Sequence, residues 1–175
     1  MDELILKAIQ GDKEAFTLVI LEYEQELYKI AKMRLKSDDD ICEAIQNTMI
    51  LAYKHIGKVK QVEYFKTWIV RILMNECKKT YKRQNKFLSI EDDNLVELKD
   101  RKNEYENLES EITFNSLIEI LNYVEKEIIV LYYNSGFSIK EISKILHINE
   151  NTIKTKMKRA KNKLKDYMEG FDYYE

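Results

Sequence analysis

Five polar side chains near the C-terminal end of the sequence have the types and spacing to bind a nucleic acid. They are Asn151, Lys154, Thr155, Lys158 and Arg159. Because they recur every three or four residues, they share one face of a helix, opposite an apolar face that begins at Ile153. Lysine and arginine neutralise phosphates, whereas asparagine, threonine and arginine can hydrogen-bond base edges in the major groove. The spacing therefore predicts a helix that packs on one side and reads DNA on the other.

The stretch around these residues is strongly basic. Residues 150–165 carry seven lysines and arginines and a single acid, Glu150. The lysines outside the predicted reading face are expected to reach only backbone phosphates or solvent; they are Lys156, Lys161, Lys163 and Lys165. A short amphipathic segment, residues 138–146, precedes a turn at 147–149, and this order is typical of a helix-turn-helix. The alternative is a solvated basic face in a lysine-rich protein.

A second basic stretch lies near the middle of the chain. Its members are Arg71, Lys78, Lys79, Lys82, Arg83 and Lys86, with Glu76 among them. It follows an aromatic cluster in which Phe65 and Trp68 match the period of a buried helical stripe and are expected in the core. Two basic faces on one chain predict contact with two separated DNA elements.

Nothing in the sequence predicts catalysis, a cofactor or a metal. A glycine-rich phosphate loop is missing, the two histidines are far apart, and no serine or cysteine has a plausible histidine base. Cys42 and Cys77 do not form a metal-binding spacing and are expected to be core residues. We therefore predict a protein that is not an enzyme and has no small-molecule substrate.

Composition and hydrophobic periodicity predict an all-α fold. The 175 residues are 45% hydrophobic and 34% charged, contain no proline, and show helical stripes over about 13–35, 40–56 and 62–83. No apolar run reaches the roughly 18–20 residues of a membrane span, and the N-terminus lacks a signal-peptide pattern, so a cytoplasmic location is expected. Residues 91–111 carry nine acids against three cations and are expected to form a flexible linker, the alternative being one exposed helix. The prediction is two small helical domains, 1–86 and 112–175, joined by an acidic linker, 87–111.

The order of motifs resembles the extracytoplasmic-function (ECF) sigma factors of bacterial RNA polymerase. The stretches "GDKEAFTLVILEYEQELYKIA", "DDDICEAIQNTMILAYKHI" and "EYFKTWIVRILMNECKKTYKR" look like the helical bundle of sigma region 2. The stretch "EKEIIVLYYNSGFSIKEISKILHINENTIKTKMKRAKNKLK" looks like the helix-turn-helix of sigma region 4. Two departures are His147, where the family usually has glycine, and Tyr123-Val124, where Leu-Pro is common.

The resemblance implies a function and assigns roles to residues of this sequence. It implies an alternative sigma factor that binds core RNA polymerase through the beta-prime clamp and the beta flap and directs promoter-specific transcription. The residues implied for core polymerase binding are Asp40, Glu43, Gln46, Asn47 and Ile50. Those implied for the minus-ten element are Lys58, Lys60, Gln61, Glu63, Arg71, Lys78, Lys79 and Lys82. Those implied for the minus-35 element are Asn151, Lys154, Thr155, Lys158 and Arg159.

The resemblance also implies regulation. It implies a stress-response role and control by an anti-sigma factor anchored in the membrane, which would hold the chain at the membrane surface. "YFKTWIVRILMNEC" looks most like the envelope-stress branch of low-GC Gram-positive bacteria. The alternative is a stand-alone helix-turn-helix repressor or activator, which would need one DNA face and a dimer seam but no polymerase-binding face in the first domain.

Overall fold

The computed structural model describes residues 1–85, 117–118 and 120–171. The predicted linker, 87–111, lies outside these ranges. Every regular element in the described residues is a helix, which confirms the all-α prediction. The chain divides into two compact units, the first comprising Met1–Ile90 with Lys140–Ile148, and the second Glu91–Ile139 with Asn149–Glu175.

Within the first unit, residues 2–85 form a bundle of four amphipathic helices. They are α1 (Asp2–Ile9), α2 (Lys13–Lys32), α3 (Asp38–His55) and α4 (Phe65–Asn85), with short 3-10 helices at Ile56–Lys58 and Val62–Tyr64 between the last two. The predicted stripes form the core, and their buried members include Val19, Leu27, Ile30, Ile41, Ala44, Phe65, Ile69 and Leu73. Burying one such large apolar side chain contributes about 1.5–3 kcal/mol, so these stripes fix which faces of the helices remain outside.

The turn between α1 and α2 has a local sequence cause. Gly11 has φ +100°, a conformation that side chains with a Cβ rarely adopt. Asp12 then caps α2, because its Oδ1 accepts a hydrogen bond from the Ala15 backbone N–H at 2.9 Å.

In the second unit, a short helix packs on a long one. The short helix, α5 (Tyr123–Ile129), continues into a π-helical turn, Val130–Asn134, and the long helix is α7 (Glu150–Phe171). Their shared core includes Ile128, Ile129, Leu131, Ile153, Met157 and Ala160. Between them in sequence comes α6 (Ile139–Leu146), most of which belongs to the first unit.

Candidate nucleic-acid interfaces and protein-binding groove

The predicted reading face lies along one side of α7. All five of its residues, Asn151, Lys154, Thr155, Lys158 and Arg159, are exposed. The opposite side is buried at Ile153, Met157 and Ala160, so the amphipathic pattern found in the sequence is the pattern of the helix. The side chains on the open face can therefore approach a groove while the helix stays packed.

The start of α7 and the turn before it are locally defined. Asn149 Oδ1 accepts a hydrogen bond from the Asn151 backbone N–H at 2.9 Å, as expected of a residue that opens a helix. His147 has φ +57°, the left-handed conformation that glycine adopts most easily. The departure from glycine predicted at His147 therefore leaves the left-handed backbone of this turn in place.

Not all of the predicted phosphate-binding lysines of α7 lie where the sequence indicated. Lys163 pairs with a buried carboxylate of α5, and Lys161 lies over the ring of Tyr133. Lys165 follows Lys158 by seven residues, two helical turns, and so continues the reading face instead of lying off it. Helical spacing alone could not reveal the first two contacts, because their partners come from another helix.

An open basic pocket of about 610 Å³ lies between the end of α3 and α4. Four of the residues predicted for the minus-ten element line it: Lys58, Lys78, Lys79 and Lys82. The others, Lys60, Gln61, Glu63 and Arg71, are exposed but do not line the pocket. The sequence prediction missed the rest of the wall, which consists of Leu51, His55, Trp68, Ile72, Asn75 and Glu76.

Trp68 differs from the sequence expectation in part. Phe65 is fully buried, as predicted, but Trp68 is half-buried and lines the pocket. The two rings touch, with centroids 5.8 Å apart, so the core supports the indole from one side. An aromatic surface beside several lysines has the chemistry to bind a nucleobase and its phosphate.

One lysine of the pocket already has a carboxylate partner. Lys79 Nζ lies 2.6 Å from Glu76 Oε1, and the Glu76 side chain is only 9% exposed. A buried carboxylate without a cation is costly, so this pair holds Lys79 at the wall of the pocket. Lys78 is exposed on the same turn of α4.

The predicted polymerase face is only partly exposed. Gln46 and Ile50 are exposed, whereas Asp40, Glu43 and Asn47 are half-buried. Glu43 accepts two hydrogen bonds from the Arg83 guanidinium at 2.7 and 2.6 Å, which hold the pKa of its carboxyl below its usual value. This face therefore centres on Gln46 and Ile50.

An open groove of about 680 Å³ lies between α2 and α3 and includes Gln46. Its other lining residues are Glu24, Gln25, Tyr28, Lys29, Cys42, Ile45 and Met49. The same two helices carry four exposed apolar residues, Leu18, Leu21, Ile50 and Tyr53. Leu18 and Leu21 lie outside the buried stripe of α2. Apolar residues outside a buried stripe are visible in the sequence, so this part of the surface could have been predicted from them.

The two cysteines have different environments. Cys77 is buried in α4, as predicted, but Cys42 is exposed at the groove, so the expectation that it is a core residue was wrong. Across the described residues, no group of three or more histidine, cysteine or acidic side chains could hold a metal ion. Within the same residues, no helix combines the length and apolar character needed to cross a membrane.

Two family models match the chain, one in each half. Residues 19–87 match the sigma-70 region 2 model, and residues 113–164 match the sigma-70 region 4 model. The first contains every lining residue of the basic pocket and of the groove, and the second contains α6, the turn at His147 and the reading face of α7.

Curated sigma factors are similar over most of their length. The RNA polymerase sigma factor SigV of Bacillus subtilis (strain 168) is 26% identical over 156 residues, which cover 89% of this chain and 92% of that protein. The ECF sigma factor SigM of Mycobacterium tuberculosis (strain ATCC 25618 / H37Rv) is 22% identical over 162 residues, covering 93% and 81%.

Two solved structures have a similar fold. CnrH, in complex with the cytosolic domain of CnrY, has a TM-score of 0.68 and 19% identity, with 97% of each chain covered. The sigma factor RpoE from Bartonella quintana, in complex with the anti-sigma factor NepR, has a TM-score of 0.66 and 22% identity, with 88% of this chain and 96% of that chain covered. Together with the two family models, these similarities show that the chain belongs to the ECF sigma factors, transcription initiation factors that bind core RNA polymerase and direct it to specific promoters.

Proposed function

We propose that this sigma factor binds the two promoter elements and the polymerase through three different surfaces. In this proposal the open face of α7 reads the minus-35 element, the basic pocket beside α4 holds the melted minus-ten strand, and the groove between α2 and α3 binds the polymerase. The observation that carries the proposal is that one small bundle, residues 1–85, has a basic pocket and also an open groove between α2 and α3, two helices that carry four exposed apolar residues. A DNA-binding domain that acted alone would have no use for the groove.

For the minus-35 element, the five residues of the reading face differ in chemistry. Arg159 and Asn151 can make paired hydrogen bonds to base edges, whereas Lys154 and Lys158 can neutralise phosphates beside the groove. The hydroxyl of Thr155 donates to the Asn151 carbonyl at 2.9 Å, so towards a base it would act as an acceptor. Arg159 is therefore the strongest candidate for a specificity-determining residue.

For the minus-ten element, the pocket offers a place for one base out of the stack. We propose that the base lies against the Trp68 indole and that Lys58, Lys78 and Lys82 contact the phosphates on either side. The exposed residues Lys60, Gln61, Glu63 and Arg71 would then contact the strand outside the pocket.

For the polymerase, Gln46 and Ile50 are proposed as the centre of the contact with the beta-prime clamp. Leu18, Leu21 and Tyr53 extend this apolar surface across α2 and α3. Asp40, Glu43 and Asn47 would contribute at its edge, and the beta flap would bind the domain proposed for residues 112–175. Burying the exposed apolar side chains would supply much of the binding free energy.

We also propose that an anti-sigma factor controls the chain. The two solved neighbours were each determined with a partner, the cytosolic domain of CnrY for CnrH and NepR for RpoE. By analogy, an anti-sigma factor anchored in the membrane would bind this chain in the cytoplasm and release it under stress.

The polymerase surface can be tested by a double variant, Gln46→Ala with Ile50→Glu. A carboxylate in the centre of an apolar interface should abolish capture of purified core polymerase, because the charge loses its water without gaining a partner. Leu6→Glu is a matched control, because Leu6 and Ile50 are both 47% exposed but Leu6 lies on α1. Circular dichroism should show that both variants fold. Capture by the double variant at the wild-type level would rule out this surface.

A further inference from the structure

Two lysines of α7 contact α5 and its π-helical extension instead of pointing freely to solvent. Lys163 Nζ lies 2.8 Å from Glu125 Oε2, and the Glu125 side chain is only 4% exposed. Lys161 Nζ lies 5.4 Å from the centroid of the Tyr133 ring. The sequence predicts both lysines as phosphate or solvent contacts, so these partners give them a different role.

Glu125 is itself fixed by the start of α5. Its backbone N–H donates to Asn122 Oδ1 at 3.0 Å, and its Oε2 accepts from the Asn122 backbone N–H at 3.3 Å, which together form a capping box. The oxygen that caps α5 is therefore also the oxygen that binds Lys163. Because a buried carboxylate of this kind cannot turn towards solvent without breaking the cap, the position of Lys163 is closely defined.

Lys161 is held on the other flank of α7. A hydrogen bond to the Tyr133 side chain raises the pKa of the Lys161 ammonium group, and Tyr133 in turn packs edge-on against Tyr132 with centroids 5.0 Å apart. Residues two positions apart in a helix point about 200° apart around the axis. Lys161 and Lys163 therefore contact segment 123–134 from opposite flanks of α7, Lys163 near the start of the segment and Lys161 near its end.

We propose that Lys161 and Lys163 are positioning residues for promoter recognition, which fix the rotation of α7 about its own axis and make no contact with DNA. The buried residues Ile153, Met157 and Ala160 set the approximate rotation of α7, and the contacts of Lys161 and Lys163 on opposite flanks limit the remaining rotation in both directions. The inference rests on the proposed function, in which Lys158 and Arg159 contact the minus-35 element.

The test uses the full-length chain in complex with core polymerase and promoters that the wild type selects from a random-sequence library. The variants are Lys163→Met and Lys161→Met, with Lys163→Arg as the conservative replacement and Lys158→Met as the reference for a DNA contact. Affinity is measured against salt concentration, because each lost phosphate contact lowers the slope of log K against log[salt] by about 0.9. Thermal unfolding defines a temperature at which every variant is folded.

The two methionine variants should leave the salt slope unchanged and change the preferred bases at several positions of the upstream element. If the correctly oriented helix falls to about a third of the population, affinity for the selected promoter falls about threefold. Lys163→Arg should restore both affinity and preference. Lys158→Met should instead lower the slope by about 0.9 and weaken all sequences alike.

Two outcomes would overturn the inference. If either methionine variant lowers the salt slope as Lys158→Met does, that lysine binds DNA. If a folded variant keeps the wild-type base preference, the contact only stabilises the domain. Because Tyr133 and Lys161 are both exposed, Lys161→Met should fold even if Lys163→Met does not, and the test then rests on Lys161→Met. Failure of the proposed function would look different, because Lys158→Met would then have no effect on binding.

Discussion

Replacing Trp68 by alanine should weaken binding of the minus-ten single strand. Stacking of one base on an aromatic side chain is worth about 1–3 kcal/mol, which corresponds to roughly 5- to 150-fold in affinity. The replacement also removes the contact with Phe65, whose centroid lies 5.8 Å away. A fully buried tryptophan would cost about 3–5 kcal/mol of folding free energy, and a half-buried one about 2, which leaves most of a typical domain stability of about 5–15 kcal/mol.

The measurement can use the protein's own fluorescence, because Trp68 is the only tryptophan in the chain. Adding the non-template strand of a selected promoter should change the tryptophan emission of the wild type. The affinities of Trp68→Ala and Trp68→Phe are then measured by anisotropy of a labelled strand, and the phenylalanine variant should fall between wild type and alanine. Tyr64→Ala is the matched control, because Tyr64 is an exposed aromatic residue nearby in sequence that does not line the pocket.

Equal affinities of folded Trp68→Ala and wild type would refute the stacking role and return Trp68 to a purely structural one. Equal losses for Trp68→Ala and Tyr64→Ala would also count against the pocket, since the effect would then not depend on the residues that line it.

Three further predictions concern single positions. Gly11→Ala should lower the unfolding free energy by about 1–2 kcal/mol, because φ is +100° at this residue. Gly57→Ala should be close to neutral, because an added Cβ would lie 3.9 Å from its nearest neighbour, the Ile9 carbonyl oxygen. Equal melting temperatures of the two variants would contradict this prediction. Lys78→Ala should lower the salt slope of single-strand binding by about 0.7. Lys79→Ala should leave that slope unchanged and lower the melting temperature, because Glu76 loses its cation. The reverse pattern would show that Lys79 leaves Glu76 to bind DNA. Arg159→Ala should cost about 1–3 kcal/mol at the upstream element and relax base preference at one or two positions; a uniform loss across a promoter library would show that Arg159 binds only phosphate.

Helices α2, α3 and α4 were predictable from sequence because each buries a continuous apolar stripe, whereas α1 was not predicted. The stripe predicted for about 13–35 became α2, Lys13–Lys32, and the stripe predicted for about 40–56 became α3, Asp38–His55. The 3-10 turn at Val62–Tyr64 and the π-helical turn at Val130–Asn134 were not predicted, because they depend on local hydrogen bonding and not on periodicity. Their effect is to shift where α4 and α5 begin and end.

The sites were predictable only as far as one helix determines them. The exposure of the reading face follows from spacing in α7 alone. The groove lies between α2 and α3, so the sequence located its residue Gln46 but missed its α2 wall, such as Tyr28. It also missed the exposed Leu18 and Leu21 on the same helix. The same limit applies to charge, because a lysine with a buried carboxylate partner in another helix looks the same in sequence as one that binds phosphate.

This distinction changes the number of DNA contacts that α7 can make. Seven cations in residues 150–165 would give a salt slope of about −6.3 for duplex DNA if all of them lay against phosphates. Because Lys161 and Lys163 are held by α5 and its extension, at most five remain, and the slope should be no steeper than about −4.5. The full-length wild-type chain can be measured on a short duplex that carries only the upstream element. A slope near −6.3 would place all seven cations against DNA. The contacts of Lys163 with Glu125 and of Lys161 with Tyr133 would then have to break when the promoter binds.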